Sequence, residues 1–237
     1  MKERLQKIIS NSGICSRKKA EALIDQKRVF INNEIASLGE KADILIDIIR
    51  IDDYIIPKNI KSSKVILLNK PTGVISTCRD THGRKTVLDL LPDNLQKGMH
   101  PVGRLDKDSR GALIISNNGL LTLHLTHPRF NHKKRYSVLI TGVPSKNTLK
   151  KWRNGIEIDK KTTRKALVNI VKRQGNNTLL EIVLFEGRNR QIRKVADKLG
   201  HPVIDLIRIE IGNIKLNGLK EGAWREINEL EWNQLIS

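Results

Sequence analysis

A polar stretch at residues 57–63, with the sequence PKNIKSS, divides the chain into two unequal parts. Its mixture of Pro, Ser, Asn and Lys is typical of a linker. The part before the linker is too short to bury a core that could hold a chemical pocket. The part after it contains several strongly aliphatic runs. We therefore expect a small domain over residues 1–60 and a larger domain over residues 64–237.

The chain is strongly basic. Its 44 Lys and Arg residues exceed the 25 Asp and Glu residues, which gives a net charge of +19 over 237 residues. Residues 1–33 carry a net charge of +5, residues 34–62 carry −2, and the larger part carries +16. Aliphatic runs recur towards the C-terminus, which argues against a disordered basic tail. A folded protein of this charge favours a polyanionic partner, and nucleic acid is the abundant one.

The sequence shows no sign of export, membrane insertion or metal binding. The first residues, MKERLQK, pass directly into an amphipathic pattern, and no stretch approaches the roughly 20 apolar residues of a membrane span. Cys15 and Cys78 lie far apart and lack the paired spacing of zinc ligands. We expect a cytoplasmic monomer that has no membrane partner, no bound metal and no small-molecule cofactor.

The small domain contains two predicted helices. Leu5, Ile8 and Ile9 share one helix face, which the segment 11–13 ends, and Ser16 is a good N-cap for the second helix. Basic side chains occupy the opposite face; they are Arg17, Lys18 and Lys19, joined, we expect, by Arg4 and Lys7. Such a face suits contacts with RNA phosphates, although a solvated helix surface explains the same pattern.

The larger domain contains more predicted strands than helices. Strands are expected at 65–68, 112–116, 135–141, 166–171, 179–185 and 203–211. Helices are expected at 86–91, 119–126, 146–153, 189–199 and 229–235. Because the two types do not alternate one for one, we predict an α+β fold whose mixed, largely antiparallel sheet is flanked by helices.

Four segments in the larger domain are candidates for a site. One of them, NKPTGV at 69–74, is explained equally well as a turn that ends a strand. The loop 103–111, GRLDKDSRG, places Asp106 before a buried strand, where an acid can be held near a substrate; an Asx turn with surface ion pairs is the alternative. The segment 133–136, KKRY, places Tyr136 among bases, where it can stack on a nucleobase or join the core. The segment 186–194, EGRNRQIRK, opens a helix with basic residues, which the helix dipole disfavours, so a functional role is indicated.

The spacing of these basic residues adds a further expectation. Arg190 and Arg193 are three residues apart, so both can point to one side of the helix. We expect Lys133, Arg188 and Arg190 to contact RNA.

Two resemblances follow from these segments and their order. The N-terminal pattern RLQKIISNSGICSRKKAEALIDQKRVFIN resembles the S4 RNA-binding domain. Further motifs are LNKP at 68–71, HGRKTV at 82–87, the GRLDKDSRG loop, Arg135–Tyr136, GRNRQIRKV at 187–195 and GHPV at 200–203. Together with the S4-like start, they resemble the RsuA family of ribosomal RNA pseudouridine synthases over almost the whole chain.

This resemblance implies a fold, an activity and roles for individual residues. The fold is that of pseudouridine synthases, and the activity isomerises a uridine of ribosomal RNA without a cofactor or metal. Asp106 is implied as the catalytic aspartate, Tyr136 as the residue that stacks on the uracil, and Arg193 as the partner of the aspartate. Arg104 is implied as the wedge that fills the gap left by the base.

The choice of RNA is less constrained. The segments NKPTGV and HGRKTV look closer to the large-subunit (23S) type of the family than to the small-subunit (16S) type. Two other kinds of protein fit part of the pattern. A non-catalytic, ribosome-associated RNA-binding protein would keep the fold without needing Asp106, and a nuclease or glycosylase would need a second carboxylate, for which Asp108 is the nearby candidate.

Overall fold

The computed structural model describes residues 2–12, 14–58 and 63–235. The domain boundary predicted from residues 57–63 falls largely on residues 59–62, which lie outside the described residues, as does Gly13 of the predicted helix end. In the described ranges, none of the helices is both long enough and apolar enough to cross a membrane.

The N-terminal part packs two helices against small strands. Its elements are β1 (Glu3–Arg4), α1 (Leu5–Asn11), α2 (Arg17–Asp25), β2 (Val29–Ile31), β3 (Glu34–Ile35), β4 (Lys41–Ala42), β5 (Ile49–Ile51) and β6 (Tyr54–Ile55). The predicted N-cap is confirmed, because Ser16 Oγ accepts a hydrogen bond from Lys19 N at 3.3 Å. Leu5, Ile9 and Ile24 are almost fully buried in the core of this part.

The larger part is built around one sheet. Its elements are β7 (Val65–Lys70), a 3₁₀ turn (Leu88–Leu90), α3 (Asp93–Gln96), β8 (His100–Val102), β9 (Arg110–Ser116), α4 (Gly119–Thr126), a 3₁₀ turn (Pro128–Phe130), β10 (Lys134–Thr141), α5 (Lys146–Asn154), β11 (Glu157–Ile158), β12 (Lys161–Thr162), β13 (Leu167–Gln174), β14 (Asn177–Leu184), α6 (Gln191–Lys198), β15 (Val203–Ile211), β16 (Ile214–Lys215), β17 (Trp224–Glu226) and α7 (Glu229–Asn233).

The strand order of this sheet is β13-β14-β10-β15-β9-β7-β17, with β16 beside β15 and β8 beside β9. The strands β9 and β15 pair in parallel, and the neighbouring pairs are antiparallel. The predicted α+β fold with a mixed, largely antiparallel sheet is therefore confirmed. The predicted helix at 86–91 is a shorter 3₁₀ turn, Leu88–Leu90, because Pro92 disfavours a helical conformation at Leu91, which is extended.

The middle of the sheet is buried on both faces. Along β7, Val65 and Leu67 pack into one core cluster, whereas Ile66 and Leu68 pack into another. This alternation explains why the strand reads as a continuous aliphatic run rather than as an alternating one. A strand buried on both faces is a rigid base for the loops that leave it.

Candidate active site

The loop between β8 and β9, residues 103–109, carries Asp106 and is called the Asp106 loop below. It borders a cavity of about 450 Å³, a size typical of small-molecule sites. Among the residues that the structure describes, the Asp106 carboxylate accepts no hydrogen bond and lies in no ion pair within 4.0 Å. A substrate in the cavity would therefore meet a carboxylate that has no competing partner.

Side chains from strand β7 and from the loop after it hold the Asp106 loop in place. The Ser76 hydroxyl donates to Leu105 O at 2.8 Å and accepts from Leu105 N at 3.1 Å, so it fixes the peptide groups next to Asp106. At the other end of the loop, Lys70 Nζ donates to Ser109 O at 2.8 Å. The backbone on both sides of Asp106 is thus fixed by Ser76 and Lys70, which lie 29 and 39 residues before the groups that they contact.

Lys70 is unusual because its side chain is fully buried. Its Nζ donates to the carbonyl oxygens of Pro71 and Ser109, each at 2.8 Å. Burial lowers the pKa of Lys70 to about 8, against the opposing attraction of Asp106 and Asp108. Lys70 therefore anchors the Asp106 loop by donating to backbone carbonyls.

The helix α6 contacts the Asp106 loop through Asp108. Arg190 donates from Nη1 and Nη2 to the two carboxylate oxygens, both at 3.0 Å, and Arg193 Nη2 donates to Asp108 O at 2.8 Å. The Arg190 hydrogen bonds hold the pKa of Asp108 below its usual range. The prediction that Arg190 and Arg193 point to one side is confirmed.

The partner of Arg193 differs from the one that the family resemblance implied. The implied ion pair was with Asp106, whereas the observed one joins Arg193 Nε to Asp108 Oδ2 at 3.5 Å. The reason is the tight turn in which Ser109 N donates to Asp106 O at 3.1 Å, which brings Asp108 to α6. Arg193 and Asp106 nevertheless line the same cavity.

Tyr136 lies both in the core and at the cavity, so its position is compatible with packing and with stacking on a base. It lies on β10, is 8% exposed and belongs to the core cluster beneath that strand. It also lines the cavity with Asp106. A ring fixed by core packing on one side and open to the cavity on the other is suited to stacking on a planar ligand.

Arg104 is exposed at the edge of the cavity. It also borders a second depression, which Arg79, Arg84 and Lys107 line as well. Asp106 lines both, so basic side chains surround the Asp106 loop.

Two predicted RNA-contacting residues are occupied by protein contacts. Arg188 lines the cavity, but its guanidinium donates to Ile158 O at 2.6 Å and to Lys161 O at 2.8 Å. Lys133 pairs with the buried Glu210 at 2.9 Å and is not among the residues that line the cavity. Both residues support the surrounding structure.

The predicted basic face of the N-terminal part is only partly assembled. Arg4 and the three basic residues of α2, Arg17, Lys18 and Lys19, are exposed. Lys7 instead forms an ion pair with Glu3, one helical turn away. Arg17 reaches Gly119, at the start of α4 in the larger part.

Two basic residues of the cavity were not predicted, Lys134 and Arg208. Arg208 is 4% exposed, on β15, and Lys134 begins β10. Burial lowers the pKa of Lys134 to about 8, and the neighbouring charge of Arg208 lowers it further. The sequence offered one signal, because a lysine and an arginine within aliphatic strands are unusual. It did not show which face of the sheet their side chains occupy.

Lys134 gives a stability prediction with a defined pH dependence. The pKa of Lys134 is about 8 in the folded protein and 10.5 in the unfolded chain. Burying the charged ammonium therefore destabilises the folded state fully below pH 8, and this destabilisation fades between pH 8 and 10.5. Since Lys134 is partly exposed, we expect Lys134→Met to stabilise the protein by about 1–2 kcal/mol at pH 7. Urea unfolding at pH 7 and pH 10 measures the gain, which should shrink at the higher pH.

The neighbouring residue provides the control. Lys133→Met removes the same charge, but it takes away one of the two cations that pair with the buried Glu210, the other being Arg135 at 3.0 Å, so this variant should be less stable than wild type. An equal gain for Lys134→Met at both pH values would contradict the burial argument.

The described residues include no group of three or more His, Cys, Asp or Glu side chains that could hold a metal ion. Two carboxylates line the cavity, Asp106 and Glu186, and Glu186 Oε1 accepts hydrogen bonds from Arg164 N at 2.9 Å and Gln191 Nε2 at 2.8 Å. Among the described residues, the cavity thus presents one carboxylate without a hydrogen bond, one tyrosine and several cationic donors.

Comparison with known proteins finds two family models that match the chain. Residues 64–198 match the family model of RNA pseudouridylate synthases, and residues 3–43 match the S4 domain model. An uncharacterized RNA pseudouridine synthase of Aquifex aeolicus (strain VF5) is 39% identical over all of this chain and 94% of its own length. Ribosomal large subunit pseudouridine synthase B of Bacillus subtilis (strain 168) is 35% identical over 98% of this chain and 95% of its own length.

A solved structure extends the likeness to the fold. The crystal structure of a pseudouridylate synthase covers 98% of this chain and 99% of its own, with a TM-score of 0.71 and 27% identity. The family resemblance drawn from the motifs and the expected enzyme class are both confirmed. With its cavity, its Asp106 loop and its N-terminal S4 domain, the chain belongs to the RsuA-type family of RNA pseudouridylate synthases, isomerases that make pseudouridine in RNA.

Proposed function

We propose that this protein isomerises a specific uridine of large-subunit (23S) ribosomal RNA to pseudouridine, with Asp106 as the catalytic residue. The observation that carries the proposal is the unpaired Asp106 carboxylate in one cavity with Tyr136 and Arg193. The choice of ribosomal RNA draws support from the Bacillus subtilis relative, whose name specifies the large subunit. We further propose that it acts as a monomer in the cytoplasm.

The reaction needs one carboxylate. The bond between ribose C1′ and uracil N1 breaks, the uracil turns, and a bond between C1′ and C5 forms, with no change in oxidation state. Glycosidases generally use two carboxylates because one must activate water. Here the uracil itself returns to C1′, so Asp106 suffices, either as a nucleophile at C1′ or as a base that removes the 2′ proton.

The cavity requires the uridine to leave its helix. Turning a base out of a stack costs a few kcal/mol. Stacking on Tyr136 would offset this cost by about 1–3 kcal/mol. The exposed Arg104 at the cavity edge can occupy the gap that the base leaves. Asp108, held by Arg190 and Arg193, keeps the Asp106 loop in position during this exchange.

The test is direct. Purified protein is incubated with unmodified transcripts of large-subunit and small-subunit ribosomal RNA, and pseudouridine is mapped in both. One modified position in the large-subunit transcript is expected. Modification of the small-subunit transcript alone would overturn the choice of RNA. Tight binding without any product would indicate a non-catalytic RNA-binding protein, and free uracil or strand cleavage would indicate a hydrolase.

The S4 domain is proposed to dock the RNA through phosphate contacts. Lys18 and Lys19 are exposed on α2. Ser16 caps this helix by accepting from the backbone N–H of Lys19, so both lysine side chains can be removed without loss of the cap. We expect Lys18→Ala/Lys19→Ala to weaken RNA binding and to reduce the slope of log K against log[salt] by about 1–2. Filter binding between 50 and 300 mM salt measures the slope.

A double substitution on the larger domain controls for net charge. Lys172 and Arg173 are exposed on the edge strand β13, away from the cavity. Lys172→Ala/Arg173→Ala should leave the salt dependence nearly unchanged. If both double variants reduce the slope equally, general charge rather than the α2 surface drives binding.

A further inference from the structure

Arg208 is a buried cation whose hydrogen-bonding capacity is not fully used. Its side chain is 4% exposed, and Nε donates to Ala112 O at 2.7 Å. Its Nη2 is buried and has no hydrogen-bond partner among the described residues. Leaving a buried charged donor unpaired costs about 1–3 kcal/mol or more. In a native structure such a group needs an explanation, such as a catalytic role or a bound ligand, ion or water that supplies the acceptor.

The sheet places Arg208 beside the proposed base-stacking residue. Arg208 on β15 is the register partner of Tyr136 on β10. Directly opposed residues in an antiparallel pair project to the same face, with Cβ atoms about 4.5–5.5 Å apart. Both side chains line the cavity that contains Asp106. A uracil that stacks on Tyr136 would thus lie next to the guanidinium.

The same part of the cavity holds a second cation. Lys134 lines the cavity, and its Nζ donates to His132 O at 3.3 Å. In the described ranges, no carboxylate oxygen lies within 4.0 Å of the side-chain nitrogens of Lys134 or Arg208. Neither cation is therefore neutralised by an ion pair with the described residues, which favours an anionic or electron-rich ligand beside them.

We propose that Arg208 Nη2, with Lys134 beside it, binds a carbonyl oxygen of the target uracil and stabilises the uracil anion that forms when the glycosidic bond breaks. The inference rests on the proposed function. Preorganised donors aimed at developing negative charge are the most effective contribution that a buried site makes to a rate. A backbone phosphate is a weaker candidate, because Arg208 lies on the sheet next to Tyr136, where the base would stack.

The charges balance in either version of the reaction. As the C1′–N1 bond breaks, its electron pair passes to the uracil and spreads to the carbonyl oxygens, where Arg208 donates. Asp106 either bonds to C1′ or removes the 2′ proton and later returns it. C5 then bonds to C1′, displacing Asp106 in the first version, and the proton on C5 passes to N1.

The experiment varies both the arginine and the leaving group. Arg208→Met and Arg208→Lys are compared with wild type in single-turnover reactions, with ribosomal RNA transcribed with uridine or with 5-fluorouridine. Fluorine stabilises the departing anion, so the need for Arg208 should fall. In this second RNA, C5 carries fluorine in place of a proton, so after C5 bonds to C1′ the remaining N1=C6 bond adds water and the product is a hydrated C5-linked nucleoside. The C5-linked nucleosides released by nuclease digestion are measured by mass spectrometry. Circular dichroism and thermal unfolding show whether each variant is folded.

The expected result has a defined pattern. Arg208→Met should slow the reaction of uridine RNA about 10²-fold and that of 5-fluorouridine RNA tenfold or less. Arg208→Lys should lose about tenfold on uridine RNA, because a lysine keeps the charge but not the geometry. Arg173→Met, which removes an exposed arginine of β13, should stay within twofold of wild type on both RNAs.

Three results would overturn the inference. They are a folded Arg208→Met variant with a rate within twofold of wild type, an equal loss on both RNAs, and a loss confined to RNA affinity, which would point to a phosphate. If Arg208→Met does not fold, Arg208→Lys decides by the same comparison. A wild-type protein that forms no pseudouridine in either ribosomal RNA would instead refute the proposed function.

Discussion

Asp106→Asn is expected to lower the rate of pseudouridine formation roughly 10⁴-fold, a loss typical of removing a catalytic group that no neighbour can replace. The amide has almost the same shape as the carboxylate, but it is a far weaker nucleophile and base. Since the Asp106 carboxylate has no hydrogen bond or ion pair with the described residues, the substitution breaks no contact that supports the loop. Single-turnover assays with ribosomal RNA transcripts measure the rate.

The same loop provides a matched control. Asp108→Asn changes the same chemical group two residues away, where the carboxylate is paired with Arg190 at 3.0 Å. We expect this variant to lose less than tenfold, because it loosens the contact with α6 but keeps the reacting group. RNA affinity should stay near wild type for Asp106→Asn. If Asp106→Asn retains a rate within tenfold of wild type, another residue supplies the nucleophile or base.

Much of the fold could be predicted because local patterns determine it. The helix predicted at 119–126 is observed at Gly119–Thr126, where the Asn118 side chain accepts hydrogen bonds from Leu120 N and Leu121 N. The strand β8 was missed because it has three residues, His100–Val102, too few to show a period, and one of them is a proline.

The site was predictable only in part. Motif resemblance drew attention to Asp106, Tyr136 and Arg193, which do line one cavity. It did not identify Asp108 as the ion-pair partner of Arg193, because that choice depends on how the Asp106 loop turns. The turn is fixed by Ser76 and other distant residues, and such contacts leave no local pattern in the sequence.

Buried cations are the second group that the sequence could not identify. Lysine and arginine are almost never fully buried unless they are paired, so a pattern-based prediction places them at the surface. Lys70 is nevertheless fully buried and Arg208 is 4% exposed. Carbonyl oxygens of Pro71, Ser109 and Ala112 accept their hydrogen bonds, and only the assembled sheet and loop bring these oxygens into place.

Gly111→Ala is expected to destabilise the larger domain by more than about 4 kcal/mol. Gly111 pairs with Arg208 where β9 runs parallel to β15, and its φ is +110°. A Cβ atom on residue 111 would lie 2.2 Å from Arg208 O and 2.7 Å from Arg208 N. Because these are backbone atoms in the middle of the sheet, neither strand can move without breaking its other pairings.

Tryptophan fluorescence can report this loss for the larger domain alone. The three tryptophans, Trp152, Trp224 and Trp232, all lie there, so urea unfolding followed by their emission omits the S4 domain. For a domain of this size, we expect the melting temperature to fall by about 10 °C or more, since each kcal/mol corresponds to about 2–4 °C.

A second glycine separates the two contributions to this effect. Gly175, in the turn between β13 and β14, also has a positive φ, +57°, but no atom lies within 4 Å of where a Cβ would be. Gly175→Ala should therefore cost only about 1–2 kcal/mol, the strain of the left-handed backbone. The excess cost at Gly111 measures the close approach of the two strands. Equal costs at both positions would mean that β9 and β15 separate easily, and Arg208 would then lack the fixed position beside Tyr136 that its proposed role requires.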